Sequence, residues 1–120
     1  MSAYNTPMAA DVPLLQAIFD FHKKIYLLSQ KLPKKDRFGI YVALEKLSLE
    51  LINLIIQTAF ETKQEKIAPL KKSRIVIETL KRLLRLMNEL NIIPIKNNIP
   101  LQANLQEISK MTNGWIKYVT

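Results

Sequence analysis

Cysteine is absent from this chain of 120 residues. Its absence removes a disulfide scaffold, a thiolate zinc site, an iron–sulfur cluster and a thiol nucleophile. His22 is the only imidazole, so no multi-histidine metal site can be built within one chain. Glycine occurs only 2 times. A phosphate-cradling loop needs several glycines close together, and up-and-down β structure needs glycine-rich turns, so both are disfavoured. Long apolar runs are missing too. The longest, LSLELINLIIQTAF, is interrupted by Glu50, Asn53 and Gln57, and it falls short of the roughly 18 clean residues that a membrane span needs. The opening MSAYNTPMAA has neither a basic n-region nor an apolar h-region, so it does not read as a signal peptide. Together these absences point to a soluble, cytoplasmic protein with no membrane partner.

What remains is an ordinary globular composition, 48% hydrophobic and 23% charged, which argues against disorder. The length suits one domain with a core of its own. Six prolines, at 7, 13, 33, 69, 94 and 100, divide the chain. Proline is tolerated in the first turn of a helix and not in its interior, so four amphipathic helices are predicted between these marks. The first runs from about Pro13 to Leu32, with Asp11 as its cap and Leu14, Ile18, Phe21, Ile25 and Leu28 at three–four spacing. The second runs from about Pro33 to Lys63. The third runs from about Lys66 to Leu90, with Pro69 in its first turn. The fourth runs from about Pro100 to Val119, capped by Asn98, and NIIPIKNNIP before it reads as an irregular connection. The predicted fold is therefore all-α: an antiparallel up-down-up-down four-helix bundle over residues 11–120, behind a flexible tail over residues 1–10.

The second helix carries two apolar stripes. Phe38, Val42, Leu49, Ile52, Ile56 and Phe60 form one; Leu44, Leu47, Leu51 and Leu54 form the other. A surface helix needs only one. Either the second stripe meets another chain, or this helix is enclosed by its own bundle.

Charge is unevenly spread. The chain has a net charge of +8 and a pI of about 9.8. Residues 66–91 hold seven basic groups against Glu78 and Glu89, a net +5. At about 100° per residue, Lys71, Arg74, Lys81, Arg82 and Arg85 fall in one sector of the third helix, and Lys72 adds a further charge. Such a ridge can face a phosphate backbone, each Lys or Arg displacing a condensed counterion. A solvated face with local pairs such as Glu78–Arg82, or contact with an acidic protein or lipid surface, are the alternatives. No aromatics interleave the ridge, so base stacking is not its mode. RNA or DNA binding through it would be phosphate-led and salt-sensitive.

No catalytic constellation is visible. His22 sits among Phe19, Ile25 and Tyr26 as a core-edge or surface residue, with no Arg upstream of it as in helical-bundle ribonucleases. No Glu-x-x-His pair of a di-iron bundle occurs. Glu45 and Glu50 are expected to pair with neighbouring lysines. The chain reads as a non-enzyme with no cofactor, no metal and no small-molecule substrate.

The segment KLPKKDRFGIYVALEKLSLELINLIIQ is the most distinctive. A loop proline, a charged run and Arg37-Phe38-Gly39 lead into a long apolar helix. With the basic third helix and Trp115 near the end of the fourth, this resembles the accessory variability determinant (Avd) proteins of diversity-generating retroelements. They sit in a wider family of small four-helix bundles that includes proteins encoded in intervening sequences of bacterial large-subunit rRNA. The resemblance covers roughly residues 13–119. Leu32 stands where related sequences often have an aromatic. By resemblance alone, the chain is expected to form a barrel-shaped homopentamer with a positive surface. It is also expected to bind a reverse transcriptase and nucleic acid, and to support mutagenic copying of template RNA into cDNA. The resemblance places Pro33 and Arg37 at the start of the second helix, where Arg37 caps, pairs or meets a partner. It assigns Lys71, Lys72, Arg74, Lys81, Arg82 and Arg85 to nucleic-acid or polymerase contact, and gives Trp115 a packing or interface role. The alternative is an oligomeric scaffold of the rRNA-linked type that docks protein only.

Overall fold

The structure is a computed structural model that describes residues 2–120, with side chains described from Pro13 onward. Helix α1 runs unbroken from Ser2, so it starts ahead of Pro13 and inside the segment expected as a tail, and Asp11 lies within the helix rather than at its cap. Four long helices form the bundle: α1 (Ser2–Ser29), α3 (Ile40–Phe60), α4 (Ile67–Glu89) and α5 (Ile95–Val119). A single turn, α2 (Lys34–Arg37), joins α1 to α3, and a one-turn 3-10 helix, Gln64–Lys66, precedes α4. No strand occurs among the described residues. Helix α3 packs between α1 and α4, and α5 closes the square against α4 and α1. Cross-helix contacts such as His22 with Ser48 and Lys81 with Gln106 run antiparallel.

The core follows the predicted spacing. Leu14, Ile18, Phe21 and Ile25 meet Leu44, Leu51 and Ile55, and Leu70, Ile77, Leu80, Leu84 and Met87 meet Leu105 and Ile108. All of them are essentially excluded from water, and each such side chain contributes about 1.5–3 kcal/mol by burial. Three buried hydroxyls are satisfied within their own helices. Thr58, Ser73 and Thr112 donate to the carbonyls four residues back at 2.7–2.8 Å.

Two further helix boundaries differ from the sequence reading. The second helix is broken at Phe38–Gly39, because the chain turns there so tightly that the Lys35 carbonyl lies where a side chain would start. A Cβ on Gly39 would sit 2.6 Å from that oxygen. Glycine alone fits so close a backbone approach. The fourth helix starts at Ile95, not Pro100. Pro94 (φ −69°, ψ 155°) precedes the first helical residue as its cap, and Pro100 lies inside the helix. Asn98 is buried on α5 and accepts from Gln102, so it is not the cap. The connection shrinks to a tight stop after α4: Asn91 adopts φ 61°, and Ile92 N–H donates to Met87 O at 2.8 Å. That is the left-handed closure at which asparagine substitutes for glycine.

Candidate nucleic-acid interface

Helix α4 presents its charge outward because its apolar residues repeat every three or four positions and its basic residues fill the gaps. Lys71, Lys72, Arg74, Arg82 and Arg85 are all exposed. The six basic residues do not act alike. Lys81 is pulled inward: its side chain is only 20% exposed, its ammonium donates to Gln106 Oε1 of α5 at 3.0 Å, and it lies 3.5 Å from Glu78. Gln102 in turn donates to the Lys81 carbonyl at 2.9 Å. Lys81 therefore pins α4 to α5. Arg85 pairs with Glu89 at 3.2 Å and Arg82 reaches Glu78 at 3.9 Å. Both pairs are exposed, and pairs of this kind contribute only tenths of a kcal/mol.

Lys71, Lys72 and Arg74 have no ion-pair partner among the described residues. Lys71, Arg74 and Arg82 line an open groove of about 710 Å³ together with Ser109 and Asn113 of α5, and the one carboxylate in it, Glu78, is the partner of Arg82. Hydroxyl and amide groups on one wall and cations on the other suit phosphate oxygens, which accept from both. Lys72 lies about 100° round the helix from Lys71 and does not line the groove. Ile75 on the groove rim is 67% exposed, so the outer face of α4 is less purely polar than the spacing implied.

The apolar stripes of the second helix are separated. Leu44, Leu51 and Leu54 point into the core. On the opposite side Phe60 is 86%, Leu49 50% and Ile56 39% exposed, with Val42 and Phe38 also open; Ile52 packs against the core edge. Phe19 and Tyr26 of α1 add further exposed aromatic surface. The seam between them is fixed by His22 Nδ1, 2.8 Å from Ser48 Oγ, so His22 sits at the core edge. Exposed apolar side chains along one helix face are a candidate interaction surface.

The remaining expected residues find structural places. The Pro33 carbonyl accepts from Asp36 and Arg37 N–H at 3.0 and 2.9 Å, which closes α2. Arg37 stacks over the exposed Phe38 ring at 5.7 Å. Trp115 is buried and lies under the Lys66 ammonium at 5.9 Å. Glu45 and Glu50 make no ion pair among the described residues, contrary to expectation. Glu45 lies instead beside Tyr41, whose phenol is pushed above its ordinary value chiefly by burial.

Lys66 was not singled out by the sequence. It is buried, and its ammonium donates to Glu61 O at 2.7 Å, Thr58 O at 2.8 Å and Ala59 O at 3.4 Å. It thus caps the carbonyl end of α3, where a cation is favoured. A lysine amid other lysines gives no sequence signal of this kind. No helix among the described residues is long and apolar enough to cross a membrane, and no cluster of His, Cys, Asp or Glu among them is suited to a metal. No curated protein and no solved structure matches the chain. A family model does, over residues 13–119, and on that match the chain belongs to the bAvd-like family.

Proposed function

We propose that this protein is a non-enzymatic accessory factor of a diversity-generating retroelement. In this reading it associates with the element's reverse transcriptase, binds RNA or DNA along α4, and supports mutagenic cDNA synthesis. Membership of the bAvd-like family carries the reading. The groove of Lys71, Arg74 and Arg82 beside Ser109 and Asn113 supports its nucleic-acid arm. The apolar face of Val42, Leu49, Ile56 and Phe60 supports a homo-oligomer, with a pentamer as the expected size. Five copies would carry a charge of roughly +40, and multivalent contact would raise avidity without any new contact type.

The test is fluorescence anisotropy with a short structured RNA across a salt series. Wild type binds, and its affinity falls steeply as salt rises. The Lys71→Ala, Arg74→Ala, Arg82→Ala triple variant binds more weakly, and its salt slope flattens by about 2–3. An unchanged slope removes α4 from the interface. A wild-type protein that holds the polymerase but no RNA would favour the protein-docking scaffold.

A further inference from the structure

A second basic surface lies on the neighbouring seam of the bundle, where the end of α1 meets the start of α5. Its floor is aliphatic: Leu28, Leu101 and Pro100, with the 60% exposed Leu27 on the α1 wall. Its rim is cationic. Lys24 stands on α1, Lys31 in the turn just after it, and Lys96 on α5. No carboxylate lines this cleft or its continuation past Pro94 and Ile95, and none of the three lysines has an ion-pair partner among the described residues. Lys24 spends one donor on Asn104 Oδ1 at 2.9 Å. Further along the same α1–α5 seam, Asp20 and Glu107 appear, so the positive stretch has a definite end. Pro100 adds a polar feature. It has no N–H to give the Lys96 carbonyl, so one acceptor on the α5 wall is unused by the helix ladder.

We infer that this cleft docks a short acidic, amphipathic segment of a partner protein. Aliphatic anchors fill the floor and flanking carboxylates meet Lys24, Lys31 and Lys96, in the helix-in-groove manner. Charge complementarity selects the occupant. A nucleic acid would satisfy the rim but leave an aliphatic floor with no aromatic on which a base could stack. A membrane surface needs apolar groups that project from a convex face, whereas the floor here, Leu28 and Leu101, is recessed between two helices. The inference goes beyond the accessory role proposed above and stands even if α4 binds no nucleic acid.

The probe is a labelled peptide with leucines at i, i+3, i+4 and i+7 and glutamates elsewhere, titrated with the full-length protein. Its controls are the same peptide with serine for leucine, a single-stranded oligonucleotide, and vesicles containing phosphatidylserine. The expected result is binding of the leucine peptide alone at this site, weakened at least about tenfold in the exposed-rim variant Lys31→Glu, Lys96→Glu (about 1.4 kcal/mol) and unchanged in Lys71→Ala, Arg74→Ala. The inference is overturned by absent peptide binding, by equal binding of the serine peptide, by indifference to the rim variant, or by oligonucleotide or vesicle binding that the rim variant abolishes. Circular dichroism of the variant confirms that it folds.

Discussion

Replacing Lys66 by methionine isolates one ammonium while keeping most of its aliphatic stem. The wild-type group donates to three carbonyls at the end of α3, two at 2.7 and 2.8 Å and one at 3.4 Å. It also lies 5.9 Å from the Trp115 ring centre on α5. Hydrogen bonds from a charged group contribute about 1.5–3 kcal/mol each, and a buried carbonyl left without a donor costs about 1–3 kcal/mol. The long third bond adds little. Against this, methionine avoids desolvating an ammonium, which offsets several kcal/mol. The net expected loss is about 2–4 kcal/mol. With a urea m-value of about 2 kcal/mol/M, the unfolding midpoint falls by about 1–2 M at unchanged m. Protein concentration is matched throughout, because oligomerisation shifts apparent stability. A loss below about 1 kcal/mol would refute the reasoning and show that water replaces the ammonium at no cost.

Three further outcomes are expected. Gly39→Ala forces a methyl group to within 2.6 Å of the Lys35 carbonyl and costs about 1–3 kcal/mol, read by thermal denaturation; a neutral result means that the α2–α3 turn relaxes freely. Tyr41→Phe is neutral or stabilising by up to about 1 kcal/mol, because the buried hydroxyl has no hydrogen-bond partner. Burial holds the Tyr41 phenol above the ordinary 10.0, so its share of stability is full below that pH and lost as pH climbs through the raised value; the Phe variant loses less stability at alkaline pH, and an identical alkaline profile contradicts this. Leu49→Glu with Ile56→Glu leaves the helical content intact, since both residues are exposed, but lowers the assembly size in size-exclusion chromatography; an unchanged elution volume removes this face from the interface.

The four helices were legible because three–four apolar spacing encodes the buried face directly, as Ile77, Leu80 and Leu84 illustrate on α4. What was not legible depends on contacts remote in sequence. The break at Gly39 follows from the approach of the Lys35 carbonyl, which no local pattern reveals. The start of α5 is ambiguous in the sequence because both Pro94 and Pro100 fit a helix start. Pro94 takes the role, and Pro100 forfeits one backbone bond near the helix end, where the loss is least. Two stripes on the second helix were readable, but which of them faces the core is decided by the neighbours, and that choice left Leu49, Ile56 and Phe60 outside. The basic sector was readable as charge. Its division into Lys81, drawn into the α5 contact, and Lys71 and Arg74, left without partners, depends on Gln102, Gln106 and Glu78.

The central claim, an oligomeric polyanion-binding accessory protein, is tested most directly by sedimentation velocity of the purified protein, alone and with a short structured RNA, at low and at moderate salt. The account predicts a species several times larger than the 13.9 kDa chain, about fivefold for the proposed pentamer. It predicts that this species shifts with RNA and releases it as salt rises. A monomer that ignores RNA at both salt concentrations would contradict the account.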